Sequence, residues 1–232
     1  MDDPFLLPPF IEYFATFLWG LTGALLAARR GYAILGILSL AIVSATGGGL
    51  LRDGLFLQAG PPVLVRSPIY LYLSTSAGAV VMLFGRRVQQ LPRFDAIVGV
   101  VDALGLGAYA VVGMDRAMAS GLSAPGVVVV GMANAVGGGV LRDVLTLREP
   151  NLFRPGTLEE SAAFIGCLTF LAATQWLSLD KFPAAWATIA LVFLIRVAAI
   201  RYQIQSKPLR DFEEFWKQAD GLPRPPDRRR SD

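Results

Sequence analysis

Two short segments of this chain hold groups that apolar sequence ordinarily excludes: Gly47-Gly48-Gly49-Leu50-Leu51-Arg52-Asp53 and Gly137-Gly138-Gly139-Val140-Leu141-Arg142-Asp143, offset by 90 residues. Each sets a guanidinium beside a carboxylate just after a glycine triplet. Such a pair can do electrostatic work: it can shape the field along an ion path, hold a zwitterion, or form an ion pair that breaks and remakes. Each glycine weakens a helix by ~1 kcal/mol relative to alanine, and a charge near a bilayer centre costs several more. In membrane proteins, Gly-interrupted hydrophobic segments at matching positions in two halves point to a transport site.

The triplets permit either close helix contact or a kink at which backbone carbonyls leave the helical ladder and can bind a partly dehydrated cation. Ser44 and Asn134 precede the two triplets at the same spacing and correspond under the same offset, which suits a water-lined path through both breaks. The alternative is that they hydrogen-bond between helices. Arg52, Asp53, Arg142 and Asp143 either snorkel to headgroups or lie within the bilayer as a gating or charge-pair set. Apolar sequence continuing through Leu55 to Leu57 and through Val144 to Leu147 favours the second reading. Symmetry then predicts Arg52 facing Asp143 and Arg142 facing Asp53. Of the remaining polar groups, Glu12 is expected to be solvated, Arg196 to snorkel, Tyr70 and Tyr72 to sit in an interfacial aromatic belt, Asp95 to cap a helix and Asp102 to face a cavity.

The elements that position these groups are membrane helices. Hydrophobic residues make up 54% and charged residues 17% of 232, with a mean hydropathy of +0.52, well outside the balance of a soluble domain, and the length leaves no room for a large one beside the membrane part. Apolar segments fall at about 10–28, 31–51, 68–85, 96–114, 125–141, 161–179 and 182–200, and no alternating strand pattern is present. The expected fold is therefore an all-α integral membrane protein of seven transmembrane helices. A three-helix unit that is duplicated must insert its copy upside down, so the reading is a three-plus-three inverted repeat, about 10–90 and 96–180, with a seventh helix at about 182–200. Residues 1–202 are expected to form the seven-helix transmembrane domain, and 203–232 a Pro-rich cytoplasmic tail.

Arginines Arg29, Arg30, Arg86, Arg87, Arg93, Arg148 and Arg154 and the tail fall on one side, which the positive-inside rule makes cytoplasmic and which puts the N-terminus outside. The acidic start, Met1-Asp2-Asp3, does not read as a signal peptide. Chemistry is bounded as well. There is no histidine, and the single Cys167 reads as a packing residue, so imidazole catalysis, internal disulfides and cysteine metal clusters are excluded. No nucleotide-binding or nucleophile motif occurs; an enzyme is not expected, nor a cofactor, nor a nucleic-acid partner, while membrane lipid is.

With these motifs in place the sequence resembles the trimeric intracellular cation (TRIC) channels, in particular their prokaryotic members. The resemblance covers roughly residues 10–200 and rests on the span count, the repeat, the outside N-terminus and the duplicated Gly-Gly-Gly-x-x-Arg-Asp. It implies a homotrimer in a prokaryotic cell membrane. Each protomer would carry a potassium-permeable pore lined by helices two and five, kinked at Gly47 to Gly49 and Gly137 to Gly139. The Lys-Glu-Val signature of animal members is absent, so their regulation is not implied. Sequences with this repeat are also described as possible glycine transporters, and a secondary transporter of a small zwitterion is the alternative reading.

Overall fold

The structure, a computed structural model, describes residues 8–58, 60–90, 94–153 and 158–204. The tail from residue 205, Arg93, Arg154 and the side chains of Arg86 and Asp95 lie outside the described residues. The described residues form eight helices: α1 Pro9–Arg29, α2 Ile34–Leu51, α3 Val63–Arg66, α4 Pro68–Gln89, α5 Phe94–Ala119, α6 Ala124–Leu145, α7 Glu159–Leu171 and α8 Lys181–Tyr202. Six of them are long and apolar enough to cross a membrane: α1, α2 with its extension, α4, α5, α6 and α8. The segment expected at about 161–179 is the shorter α7, continued by a π-helical turn over Ala172–Trp176. A similar turn, Arg52–Leu57, continues α2, closed by the Gln58 amide on the Asp53 carbonyl at 2.9 Å. The short α3 was not expected from sequence.

Helices α1 and α5 end alike. Gly31 and Gly121, 90 residues apart, take φ of +72° and +73°. The next amide of each, Tyr32 or Leu122, returns to the carbonyl of Ala27 or Ala117 at 3.1 and 3.2 Å. This closing motif needs a left-handed residue, which glycine supplies without a Cβ penalty. It turns the chain sharply, so that α2 and α6 pack back on α1 and α5.

Packing follows small residues. A Cβ on Gly23 would overlap Ser44, and one on Gly113 would lie 2.6 Å from Asn134 Cβ, so α1 and α2, like α5 and α6, touch nearly backbone to backbone. Between the units, Thr16 meets Tyr109 and Glu12 meets Arg116, so α1 and α5 run antiparallel. Helices α2 and α6 also cross antiparallel, with Gly47 and Gly48 against Gly138 and Gly137. The main core packs α5, α6, α7 and α8 around Leu106, Met114, Val130, Cys167, Phe170 and Val192. Cys167 is fully buried there, as a packing residue should be.

Candidate functional site

Both triplets lie inside unbroken helix, so the freed carbonyls expected from sequence do not occur at them. What the glycines serve instead is contact. A methyl group on Gly48 would coincide with the Asn134 carbonyl, and one on Gly138 with the Ser44 carbonyl. Gly47 and Gly137 would each meet a Cα of the opposite triplet at 3.1 Å. Gly49 and Gly139 stand apart from this contact and help to wall two small recesses.

The recess beside Gly49 holds Glu12, Arg52, Asp53, Tyr70 and Tyr109. Arg52 is completely buried and makes a two-pronged bond to its neighbour, Nε to Asp53 Oδ1 at 2.6 Å and Nη2 to Oδ2 at 3.1 Å. Its Nη1 reaches Glu12 Oε1 at 3.2 Å and Asn134 Oδ1 at 3.3 Å. Glu12 also takes Arg116 Nη2 at 2.6 Å on its other oxygen. Two arginines thus face two carboxylates, which is what makes a buried guanidinium tolerable. Asp53 Oδ2 further accepts the Val63 amide at 3.0 Å, tying the returning chain to the helix end.

The recess beside Gly139 is built from residues at the same offset: Asp102 for Glu12, Arg142 for Arg52, Asp143 for Asp53 and Trp19 for Tyr109. Arg142 Nε lies 3.3 Å from Asp143 Oδ1, and Nη1 lies 4.0 Å from Asp102 Oδ1. Asp143 Oδ2 accepts the Asn151 amide at 3.4 Å, as Asp53 accepts that of Val63. Arg196 of α8 adds a further cation, 2.5 Å from Glu159 and 3.8 Å from Asp102. The same charges line a cavity of about 840 Å³, together with Arg29, Arg148 and Glu149. Leu26 also lines this cavity, at the position that corresponds to Arg116 in the other unit.

Arg52 pairs with Asp53 and Arg142 with Asp143, not across the units: α2 and α6 cross antiparallel at Gly48 and Gly138, so Arg52 and Arg142 leave the crossing in opposite directions, roughly 12 Å apart along the helix axes. Glu12 is buried, not solvated, because the interior-facing side of α1 carries it to Arg52. Arg196 is buried in its ion pairs and does not snorkel. Tyr70 is buried edge-on to Tyr13, whereas Tyr72 is exposed. Asp102 does face a cavity. Ser44 and Asn134 are buried at the α2–α6 crossing, where the Asn134 amide donates to the Tyr109 carbonyl at 2.6 Å and Ser44 Oγ has no hydrogen-bond partner.

The family model described as Glycine transporter matches residues 9–86 and again 99–175, two copies set 90 residues apart at their starts. An UPF0126 membrane protein of Deinococcus radiodurans is 34% identical over 199 residues, covering 84% of this chain and 88% of its own length. The crystallised TRIC orthologue from Rhodobacter sphaeroides matches with a TM-score of 0.76 at 29% identity, covering 84% of this chain and 97% of that one. The chain belongs to the prokaryotic TRIC family. A second solved TRIC cation channel matches this TRIC-family chain with a TM-score of 0.77 at 27% identity. The UPF0126 inner membrane protein YadS of Escherichia coli is 29% identical across 84% of it, in line with a multi-pass membrane protein of bacteria.

Proposed function

We propose that this TRIC-family protein is a passive cation channel that conducts monovalent cations, chiefly potassium, through each protomer of a homotrimer. The carrying observation is the fold it shares with nearly the whole of the Rhodobacter sphaeroides cation channel. The path runs beside α2 and α6, past Gly49 and Gly139 and the two charged recesses, with Ser44 and Asn134 at the crossing. Arg52, Asp53, Arg142 and Asp143 act as the gating charges. In the recess of the first unit Glu12 is closed over by Arg52 and Arg116, while the recess of the second opens into the large cavity. The cavity on the side of the second unit, about 840 Å³, is the larger of the two, against about 160 Å³ beside Asp53 and Arg116.

The units act as an inverted repeat, residues about 10–90 and 96–180, with α7 completing the second unit as a span and α8, about 182–200, standing outside it. The antiparallel crossings α1–α5 and α2–α6 and the doubled family match support this reading. Arginine placement supports an outside N-terminus and a cytoplasmic face at the large cavity. No cofactor or enzymatic step is needed for passive conduction.

One observation favours a second reading, a transporter of a small zwitterion such as glycine. The large cavity balances four arginines, Arg29, Arg142, Arg148 and Arg196, with four carboxylates, Asp102, Asp143, Glu149 and Glu159, a lining suited to a molecule carrying both charges. Purified protein in liposomes separates the two. The channel predicts fast potassium flux that does not saturate and no concentrative uptake of labelled glycine. Saturable glycine uptake with negligible potassium leak would establish the transporter.

A further inference from the structure

Trp19 of α1 and Tyr109 of α5 are 90 residues apart and touch each other, ring centroids 5.4 Å apart and planes at 70°. Each bounds one charged recess: Trp19 the one with Asp102 and Arg142, Tyr109 the one with Glu12 and Arg52. The touching pair therefore lies between the two recesses, with Trp19 against Gly138 of the α2–α6 crossing. Both side chains are almost fully buried.

The two rings are held differently. The Tyr109 hydroxyl donates to the Ala45 carbonyl and lies 3.0 Å from Thr16 Oγ1, which itself donates to the Glu12 carbonyl at 2.7 Å. The Tyr109 backbone carbonyl takes the Asn134 amide. Trp19 has no such anchor: its Nε1 is buried without a hydrogen-bond partner. Its indole rests on glycines, against Gly105 and over Gly138, where an added Cβ would stand 2.8 Å from its Cε3.

We propose that Trp19 and Tyr109 form the size-selecting constriction of the path, with Tyr109 as the fixed wall and Trp19 as the movable one. This rests on the channel reading. An apolar constriction between two charged recesses sets a cutoff by width and by dewetting, independently of the charges on either side. Glycines under the indole give it smooth surfaces to slide on, and a ring without a hydrogen bond has none to break. The pair determines which cations fit; the charged groups determine that cations enter.

The test is a set of reversal potentials in planar bilayers, with potassium on one side and methylammonium, dimethylammonium or tetramethylammonium on the other. Wild type should exclude the larger ions. Trp19→Ala should raise dimethylammonium permeability relative to potassium by about tenfold, and Trp19→Phe by an intermediate amount. Should the alanine variant fail to fold, the phenylalanine variant alone decides the direction. Potassium current in either variant with the wild-type cutoff unchanged would overturn the proposal, because a ring that only packs the core would alter stability and leave the cutoff in place. Wild-type protein that passes no potassium at all would instead remove the channel reading, and this constriction with it.

Discussion

Glu12 joins Arg52 and Arg116: one carboxylate, buried in α1, accepts from Arg52 of the turn that continues α2 at 3.2 Å on one oxygen and from Arg116 of α5 at 2.6 Å on the other. Removing its charge leaves two arginines with Asp53 as the remaining close carboxylate of that recess. Glu12→Gln should therefore destabilise the protein by about 3–5 kcal/mol, the range for breaking one side of a buried pair. A thermal unfolding series in detergent, with Glu12→Asp as the shorter carboxylate, checks this. Equal melting of Glu12→Gln and wild type would show that the arginines are neutralised elsewhere.

The asymmetry between Arg116 and Leu26 carries a functional expectation. Arg116 binds Glu12 of the first unit's recess and stands between it and a cavity of about 160 Å³, whereas Leu26, at the corresponding place, lines the cavity of about 840 Å³. Arg116→Leu should raise potassium flux into liposomes severalfold, and Leu26→Arg should lower it. Arg116 is partly exposed, so its replacement should cost about 1 kcal/mol of stability or less.

Close approach at the triplets predicts a stability pattern that helix propensity alone does not. Gly48→Ala and Gly138→Ala each drive a methyl group into a backbone carbonyl of the opposite helix and should cost about 1–3 kcal/mol or more. A Cβ on Gly54 meets nothing within 4 Å, so Gly54→Ala should be near neutral. Melting temperatures of the three variants, measured side by side, decide it.

Ser44 and Asn134 occupy corresponding positions yet should respond in opposite ways. Asn134 bonds both Arg52 and the Tyr109 carbonyl, so Asn134→Ala leaves buried groups unpaired and should cost about 1–3 kcal/mol. Ser44 Oγ is buried without a partner, and Ser44→Ala should be neutral or slightly stabilising. The same melting experiment compares them.

The glycine motif made the repeat visible in the sequence because glycine cannot be exchanged where two backbones touch. The other corresponding pairs are less legible because their chemistry tolerates change: Glu12 and Asp102 are both carboxylates of different length, and Trp19 and Tyr109 are both flat rings. Their shared 90-residue offset was the available signal. Arg196 could not be placed from sequence, since its position near a helix end fits snorkelling as well as burial. Only the register of α8 against α5 and α7 brings it to Asp102 and Glu159. The cross-unit pairing of arginines and aspartates failed for want of the crossing point, which depends on which glycines meet. The role of the triplets divided in the same way: composition allowed a break or a contact, and packing chose contact.

The most direct test of the central claim is a single-channel recording of the purified protein in a planar bilayer under a potassium chloride gradient. Discrete openings that reverse near the potassium equilibrium potential are the expected result. A silent bilayer from protein that takes up glycine in liposomes would contradict the channel.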